Sequence, residues 1–161
     1  MMRPVTVADA QQLVAIYNYY VIHSIVTLDL VPFSARDFEE KISSISSRFP
    51  FIVYEENDEI LGYAYASTFR TKPAYNKTVE LTIYLKHHAL GKQIGKKMYS
   101  ELIQQLKAEN YHVLIGGLTL PNEASVKLHE GFGFEKVAHF KEVGYKFDKW
   151  HDVGFWQLTI N

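Results

Sequence analysis

The sequence predicts a mixed α/β fold: one layer of mostly antiparallel sheet with helices packed on both faces. Three observations predict it. Apolar residues alternate at period two in several short segments, recur at helical spacing in others, and the two kinds of segment are interleaved along the chain. The 161 residues suit one domain, 1–161, and no repeat or low-complexity linker divides them.

A short apolar segment around Val5 is expected to be the first strand. Thr6 with Asp9 forms a capping pair, and Ala10, Leu13, Val14, Tyr17 and Val21 follow on one helical face. Ile25 to Leu30 is rich in β-branched residues and reads as extended. Ser34 with Asp37 opens a second helix through Phe38, Ile42 and Ile45. It stops before Pro50, because proline disfavours helical backbone in the residue that precedes it. Phe51 to Glu55 and Ile60 to Tyr65, around the polar turn Glu56-Asn57-Asp58, read as a hairpin.

A loop from Thr68 to Asn76 follows. Lys77 to Lys86 is then a strand, with Glu80, Thr82 and Tyr84 on one face and Val79, Leu81, Ile83 and Leu85 on the other. Gly91 to Gly95 leads into a long helix with the stripe Ile94, Met98, Leu102 and Leu106, ending near Asn110. His112 to Gly117 is a strand of the buried type. Asn122 caps a short helix carrying Ala124, Val126 and Leu128 and halted at Gly131. Strands near Glu135 to Glu142 and Asp152 to Ile160 complete the order.

Composition excludes several classes. Lys+Arg 17 against Asp+Glu 18 leaves no field for a general nucleic-acid binder, so no nucleic-acid partner is expected. Zero cysteines exclude disulfides, thiolate metal sites and a cysteine nucleophile. No apolar run reaches the roughly 18 residues of a membrane span, and a soluble cytoplasmic protein without membrane attachment is expected. No metal is expected either. His87 and His88 are adjacent, so their side chains diverge, and no carboxylate pattern completes a ligand set.

Leu85 to Lys96 is the segment whose pattern points to ligand chemistry. A strand ends, a loop with two glycines follows, and a helix begins with Lys92, Lys96 and Lys97 nearby. The unpaired N–H groups and positive dipole end of a helix's first turn bind phosphate well. Plain turn chemistry accounts for the same glycines, and the spacing fits neither a Walker loop nor a dinucleotide fingerprint.

The segment is similar to the Gln/Arg-x-x-Gly-x-Gly/Ala motif of GNAT acetyltransferases, with Gly95 at its last position. It departs from that motif at Leu90 and Gln93. Leu120 to Phe134 resembles the GNAT segment Asn-x-x-Ala/Ser-x-x-Leu-Tyr-Glu-x-x-Gly-Phe. Its Leu128-His129-Glu130 is typical of the phosphinothricin acetyltransferase branch. Thr78-Val79-Glu80, Pro73-Ala74-Tyr75, Gly144-Tyr145-Lys146 and the stretch Trp150 to Gln157 match as well, so the likeness runs from Arg3 to Gln157.

The resemblance implies the GNAT acyl-CoA N-acyltransferase fold and acetyl-CoA as co-substrate. The acceptor it implies is a small-molecule amine: an amino acid or analogue of the phosphinothricin, methionine sulfone or methionine sulfoximine type. Transfer is expected to be direct, with Glu80 as general base. His129 stands where many relatives carry a tyrosine that protonates the coenzyme thiolate; a helix histidine bonded to solvent or a carbonyl is the alternative.

Coenzyme contacts are implied for Ile83, Tyr84 and Leu85, for Gly91, Lys92, Gln93, Ile94, Gly95 and Lys96, and for Asn122 and Ser125. Asn122 is equally a helix cap. Arg70, near Tyr75, can grip a carboxylate or phosphinate by two parallel hydrogen bonds or stand as an ordinary exposed arginine, with Lys146 a further candidate. The aromatic stretch Trp150 to Trp156 reads as core or dimer contact, and a homodimer is expected. A protein or peptide N-terminal acetyltransferase, a polyamine or aminoglycoside acetyltransferase, and a non-catalytic acyl-CoA sensor are the competing readings.

Overall fold

Local chemistry starts the first two helices where the capping pairs stand. A computed structural model describes residues 1–161. After β1 (Met2–Pro4), the Thr6 amide donates to Asp9 Oδ2 at 2.8 Å. That pair opens a short 3₁₀ turn, Val7–Asp9, which runs into α1 (Ala10–His23). Asp37 N donates to Ser34 Oγ at 3.1 Å and Ser34 N to Asp37 Oδ2 at 2.7 Å, a reciprocal box opening α2 (Ala35–Ser46). The first strand lies nearer the terminus than the segment around Val5.

Next come β2 (Phe51–Glu56), β3 (Glu59–Thr68), β4 (Thr78–Leu85), α3 (Ile94–Ala108), β5 (Val113–Leu120), α4 (Glu123–Gly131), β6 (Glu135–Lys146) and β7 (Lys149–Thr159). Asn57 and Asp58 both take positive φ, 52° and 64°, which lets a two-residue turn follow the twist of β2 and β3. Phe147 and Asp148 do the same at 53° and 56°. The β6–β7 hairpin is therefore longer than the sequence suggests, since Val143 to Trp150 carries no strong turn signal and is paired almost to its tip.

The stretch read as extended between the first two helices, Ile25 to Leu30, pairs with no strand. It forms an irregular strap between α1 and α2, held by tertiary partners instead of a ladder. Lys146 Nζ donates to Thr27 O at 2.8 Å, Tyr17 Oη bonds Thr27 Oγ1 at 2.7 Å, and Leu28 fills the space left by the missing side chain of Gly144.

The strand order is β1-β2-β3-β4-β5-β7-β6, antiparallel throughout except for the parallel pair β4–β5. One core, with Met98, Tyr99, Leu102, Leu114 and Trp156, lies on the face covered by α3 and α4. The other, with Leu13, Tyr17, Phe38, Ile42 and Tyr63, lies under α1 and α2. On β4 the apolar Val79 and Leu81 belong to the first core, as the alternation predicts.

The parallel pair is short. β4 and β5 are in register only from Thr78 opposite Val113 to Glu80 opposite Ile115, and then diverge. Lys86 N donates to Leu61 O at 2.8 Å, which fixes the alternation along β3–β4. Tyr84 and Thr82 therefore turn their backbone groups toward β3, while Ile83 and Leu85 turn theirs toward the gap. Strand edges without a strand partner at the heart of a sheet are unusual, because buried N–H and C=O groups need partners.

Candidate active site

The gap between the diverging strands opens into a cavity of about 300 Å³ that passes through the sheet. Leu81, Ile83, Tyr99, Ser125 and His129 line it from the α3–α4 side. Glu80, Thr82, Tyr84, Gly117 and Phe155, with the strap residues Val26 to Leu28, line it from the other. Two consecutive glycines of β5 make room on the two faces. A Cβ on Gly116 would meet His129 Nε2 at 2.5 Å, and one on Gly117 would meet Phe155 Cε1 at 2.9 Å and Glu80 Oε1 at 3.3 Å. Glycine inside a strand marks close approach of another group, and here both faces are approached at once.

Glu80 is half-buried and makes neither a hydrogen bond nor an ion pair with another side chain. Desolvation alone pushes its carboxyl above the usual carboxylate range. A carboxylate left unpaired at a cavity wall is able to accept a proton or an N–H from something that enters.

On the opposite face lies a buried pair. Tyr99 projects from α3 and His129 from α4, with Tyr99 Oη 2.9 Å from His129 Nε2. His129 Nδ1 lies 2.7 Å from Ser125 O, and a carbonyl only accepts, so Nδ1 carries the proton. The imidazole is 1% exposed, and burial lowers its pKa, the Ser125 carbonyl partly opposing. Neutral imidazole then accepts at Nε2 and Tyr99 donates. Burial also raises the Tyr99 phenol, with the charges of Tyr84 and Glu80 adding to the effect. His129 is thus bonded to a backbone carbonyl and presents a ring nitrogen to Tyr99.

Gly91 to Lys96 forms the turn into α3. Gly91 has φ 79° and Gln93 φ 65°, so Gln93 adopts the left-handed backbone that glycine takes without cost. Gly91, Lys92, Gln93 and Lys96 are exposed, whereas Ile94 and Gly95 are buried and can offer only backbone. A second hollow of about 440 Å³ lies alongside, with Gln93, Lys96 and Lys97 on its wall. Asn122 Oδ1 accepts from Ser125 N at 3.2 Å, capping α4, while Asn122 also lines the main cavity. Its two expected roles are compatible, because the cap occupies the oxygen and leaves the amide nitrogen.

Of the backbone contacts expected on β4, Ile83 and Leu85 face the gap, while Tyr84 turns its amide to β3 and brings only its side chain to the cavity. Tyr20 Oη, from α1, donates to Leu85 O and anchors the end of the strand. Arg70 and Tyr75 are not brought to the cavity. Both are exposed on the β3–β4 loop, Arg70 over the Phe69 ring at 5.1 Å and Tyr75 edge-on to the same ring. Lys146 is 3% exposed and sits behind the cavity wall, holding Thr27 O, with its pKa lowered by burial against the opposing Asp29. Sequence reasoning missed Tyr99, Gly116, Gly117, Phe155 and the strap. The Gly-Gly pair inside a strand was the available signal; Tyr99 looked like one more residue on a buried helical face.

The chain is similar to known proteins. Residues 2–154 match the acetyltransferase (GNAT) domain. The chain is 38% identical to the phosphinothricin N-acetyltransferase of Streptomyces coelicolor, over 98% of this chain and 95% of that protein. It is 32% identical to the L-methionine sulfoximine/L-methionine sulfone acetyltransferase of Salmonella typhimurium, over 96% and 91%. The crystal structure of a phosphinothricin acetyltransferase from Sinorhizobium meliloti in complex with AcCoA superposes with a TM-score of 0.96 at 32% identity, covering 100% of this chain and 88% of that one. The domain match spans nearly the whole chain, and the chain belongs to the GNAT family of acetyltransferases.

Proposed function

We propose that the protein transfers an acetyl group from acetyl-CoA to the amino group of a small amino acid or analogue of the phosphinothricin, methionine sulfone or methionine sulfoximine type. One observation carries this reading. The gap-facing amide of Ile83 and the unpaired Glu80 carboxylate border a single cavity through the sheet, and the Leu85 amide faces the same gap farther along β4.

The residues present fit an acyl-thioester coenzyme. An extended amide-bearing arm can lie along β4 as a replacement strand, using the gap-facing N–H and C=O groups. The exposed first turn of α3, with Lys92 and Lys96, suits a pyrophosphate, and Asn122 and Ser125 close the far wall. When bound, the coenzyme supplies an acetyl group already activated as a thioester. The gap-facing Leu85 N–H polarises the acetyl oxygen.

Most amines are ammonium at neutral pH and cannot attack. Glu80, raised by desolvation, accepts that proton directly or through one water on the α1–α2 side of the gap. The free amine then attacks directly, with no covalent intermediate on the enzyme. Thr27, Leu28, Tyr84 and Phe155 shape the volume on that side to a small acceptor. Arg70 and Tyr75 stand outside it, and Lys146 acts on it by fixing the strap.

This reading treats residues 1–161 as one domain. It works in the cytoplasm, where acetyl-CoA is available, as a homodimer. Phe140, Tyr145, Phe147 and Trp150 on the β6–β7 hairpin are each 50% exposed or more, a surface suited to such pairing. The test is an acetyl-CoA-dependent thiol-release screen over amino acids, their sulfone, sulfoximine and phosphinate analogues, and short peptides. Turnover of small analogues without turnover of peptides is expected. Preference for peptides would transfer the protein to the N-terminal acetyltransferase class, and calorimetry showing no coenzyme A affinity would remove the function altogether.

A further inference from the structure

We propose that Tyr99 is the group that donates to the departing thiolate, and that His129 acts through it as a positioning residue that sets the direction of its proton. This rests on the acetyl-transfer reading above. The geometry supplies the reason. His129 cannot present a free nitrogen to the cavity, because Nδ1 is held by Ser125 O at 2.7 Å and Nε2 by Tyr99 Oη at 2.9 Å. The two rings are perpendicular, at 87°, with centroids 5.1 Å apart, and Gly116 leaves room for the imidazole against β5. Both side chains border the cavity on the face opposite Glu80.

In the neutral pair the Tyr99 hydroxyl points its proton at Nε2 and shows the cavity a lone pair. A proton added at Nε2 reverses this. Nε2–H then donates to Tyr99 Oη, and the Tyr99 O–H is free to donate into the cavity. The transfer balances. Tyr99 O–H gives its proton to the sulfur, Nε2–H replaces it on Tyr99, and the products are a thiol, a phenol and neutral imidazole. No phenolate forms, which matters because burial makes the Tyr99 phenol a weak acid on its own.

The ionisable groups whose charge reaches the phenol are Glu80 and Tyr84 of β4. α4 contributes the Ser125 carbonyl, β5 contributes Gly116, and Phe134 covers the imidazole edge-on. A negative charge in the gap is therefore the natural partner for a proton on His129. Acid and base are kept on opposite faces of the sheet, so the proton removed from the amine and the proton given to the sulfur travel by separate routes.

The test uses the whole protein with coenzyme A in its thiol form. ¹⁵N NMR of His129 should show the Nδ1–H tautomer in the free protein, and a titration midpoint that moves upward as bound coenzyme is carried through its thiol–thiolate transition. The pKa of the bound thiol, read by thiolate absorbance, should rise in Tyr99→Phe by about one unit relative to wild type, a tenfold change in the equilibrium. Turnover in Tyr99→Phe should fall about 10- to 100-fold with the KM for acetyl-CoA changed less than threefold, and His129→Gln should show the same kcat-only pattern. An Nε2–H tautomer in the free protein, or a bound-thiol pKa identical in wild type and Tyr99→Phe, overturns the proposal. The NMR measurement needs no variant, so a poorly folding mutant leaves the question decidable. Loss of coenzyme binding in wild type would instead count against the acetyl-transfer reading.

Discussion

Glu80→Gln isolates the base, because the change keeps shape and volume and removes only the ability to take a proton. The carboxylate has no side-chain partner to orphan, so the cavity should keep its geometry. Without the base, transfer depends on the amine that is already free. The amino group of a free amino acid titrates above that of a chain terminus, so its free fraction at pH 6 is well below about 1% and rises about tenfold per pH unit. The variant should therefore be down at least about 100-fold in kcat/KM at pH 6, about 2.7 kcal/mol of barrier or more, and the gap should narrow steadily toward pH 9.5.

Thiol release measured from pH 6 to 9.5, with coenzyme affinity by calorimetry alongside, reads this directly. Stability moves the other way. Burial raises the folded-state pKa of Glu80, so its contribution is favourable below the unfolded value and is lost as pH rises through the folded one. The Gln variant should melt higher than wild type at pH 8, and the gap should close in acid. Parallel pH–rate profiles for the two proteins would show that Glu80 is not the base.

Two further outcomes follow from single contacts. Tyr63 Oη is the one buried side-chain polar atom without a partner, so Tyr63→Phe should leave the melting temperature unchanged or raise it, by up to about 1–3 kcal/mol of stability. A clear loss would reveal a buried water bonded there. Gln93→Gly relieves a left-handed backbone at φ 65°, which costs a residue with a side chain about 1–2 kcal/mol, so stability and coenzyme affinity should both rise. Weaker coenzyme binding by calorimetry would show that the glutamine side chain itself makes a contact.

Much of the frame was legible because its signals are local. Thr6 with Asp9, Ser34 with Asp37, and Asn122 each start a helical segment through bonds spanning three residues, and the alternation from Val79 to Leu85 assigned both faces of β4. The course of Ile25 to Leu30 was not legible for the complementary reason. Its composition suits a strand, but Lys146, 119 residues away from Thr27, and the empty space at Gly144 decide where it lies. The β6–β7 turn was invisible because Phe147-Asp148 takes positive φ without glycine or asparagine.

The sequence by itself determined the order of elements, the family, and the choice of Glu80 and His129 as residues of interest. Only the tertiary structure decided what those residues face. Register fixed which β4 amides turn to the gap, and the early divergence of β4 from β5 opened the cavity. The packing of α3 against α4 placed Tyr99 within hydrogen-bond reach of His129 at the cavity wall. The physical reason is separation along the chain. Periodicity reports which side of an element is apolar, but the partner of a polar atom on another element, 30 residues away for Tyr99 and His129, is set by packing that no local pattern encodes.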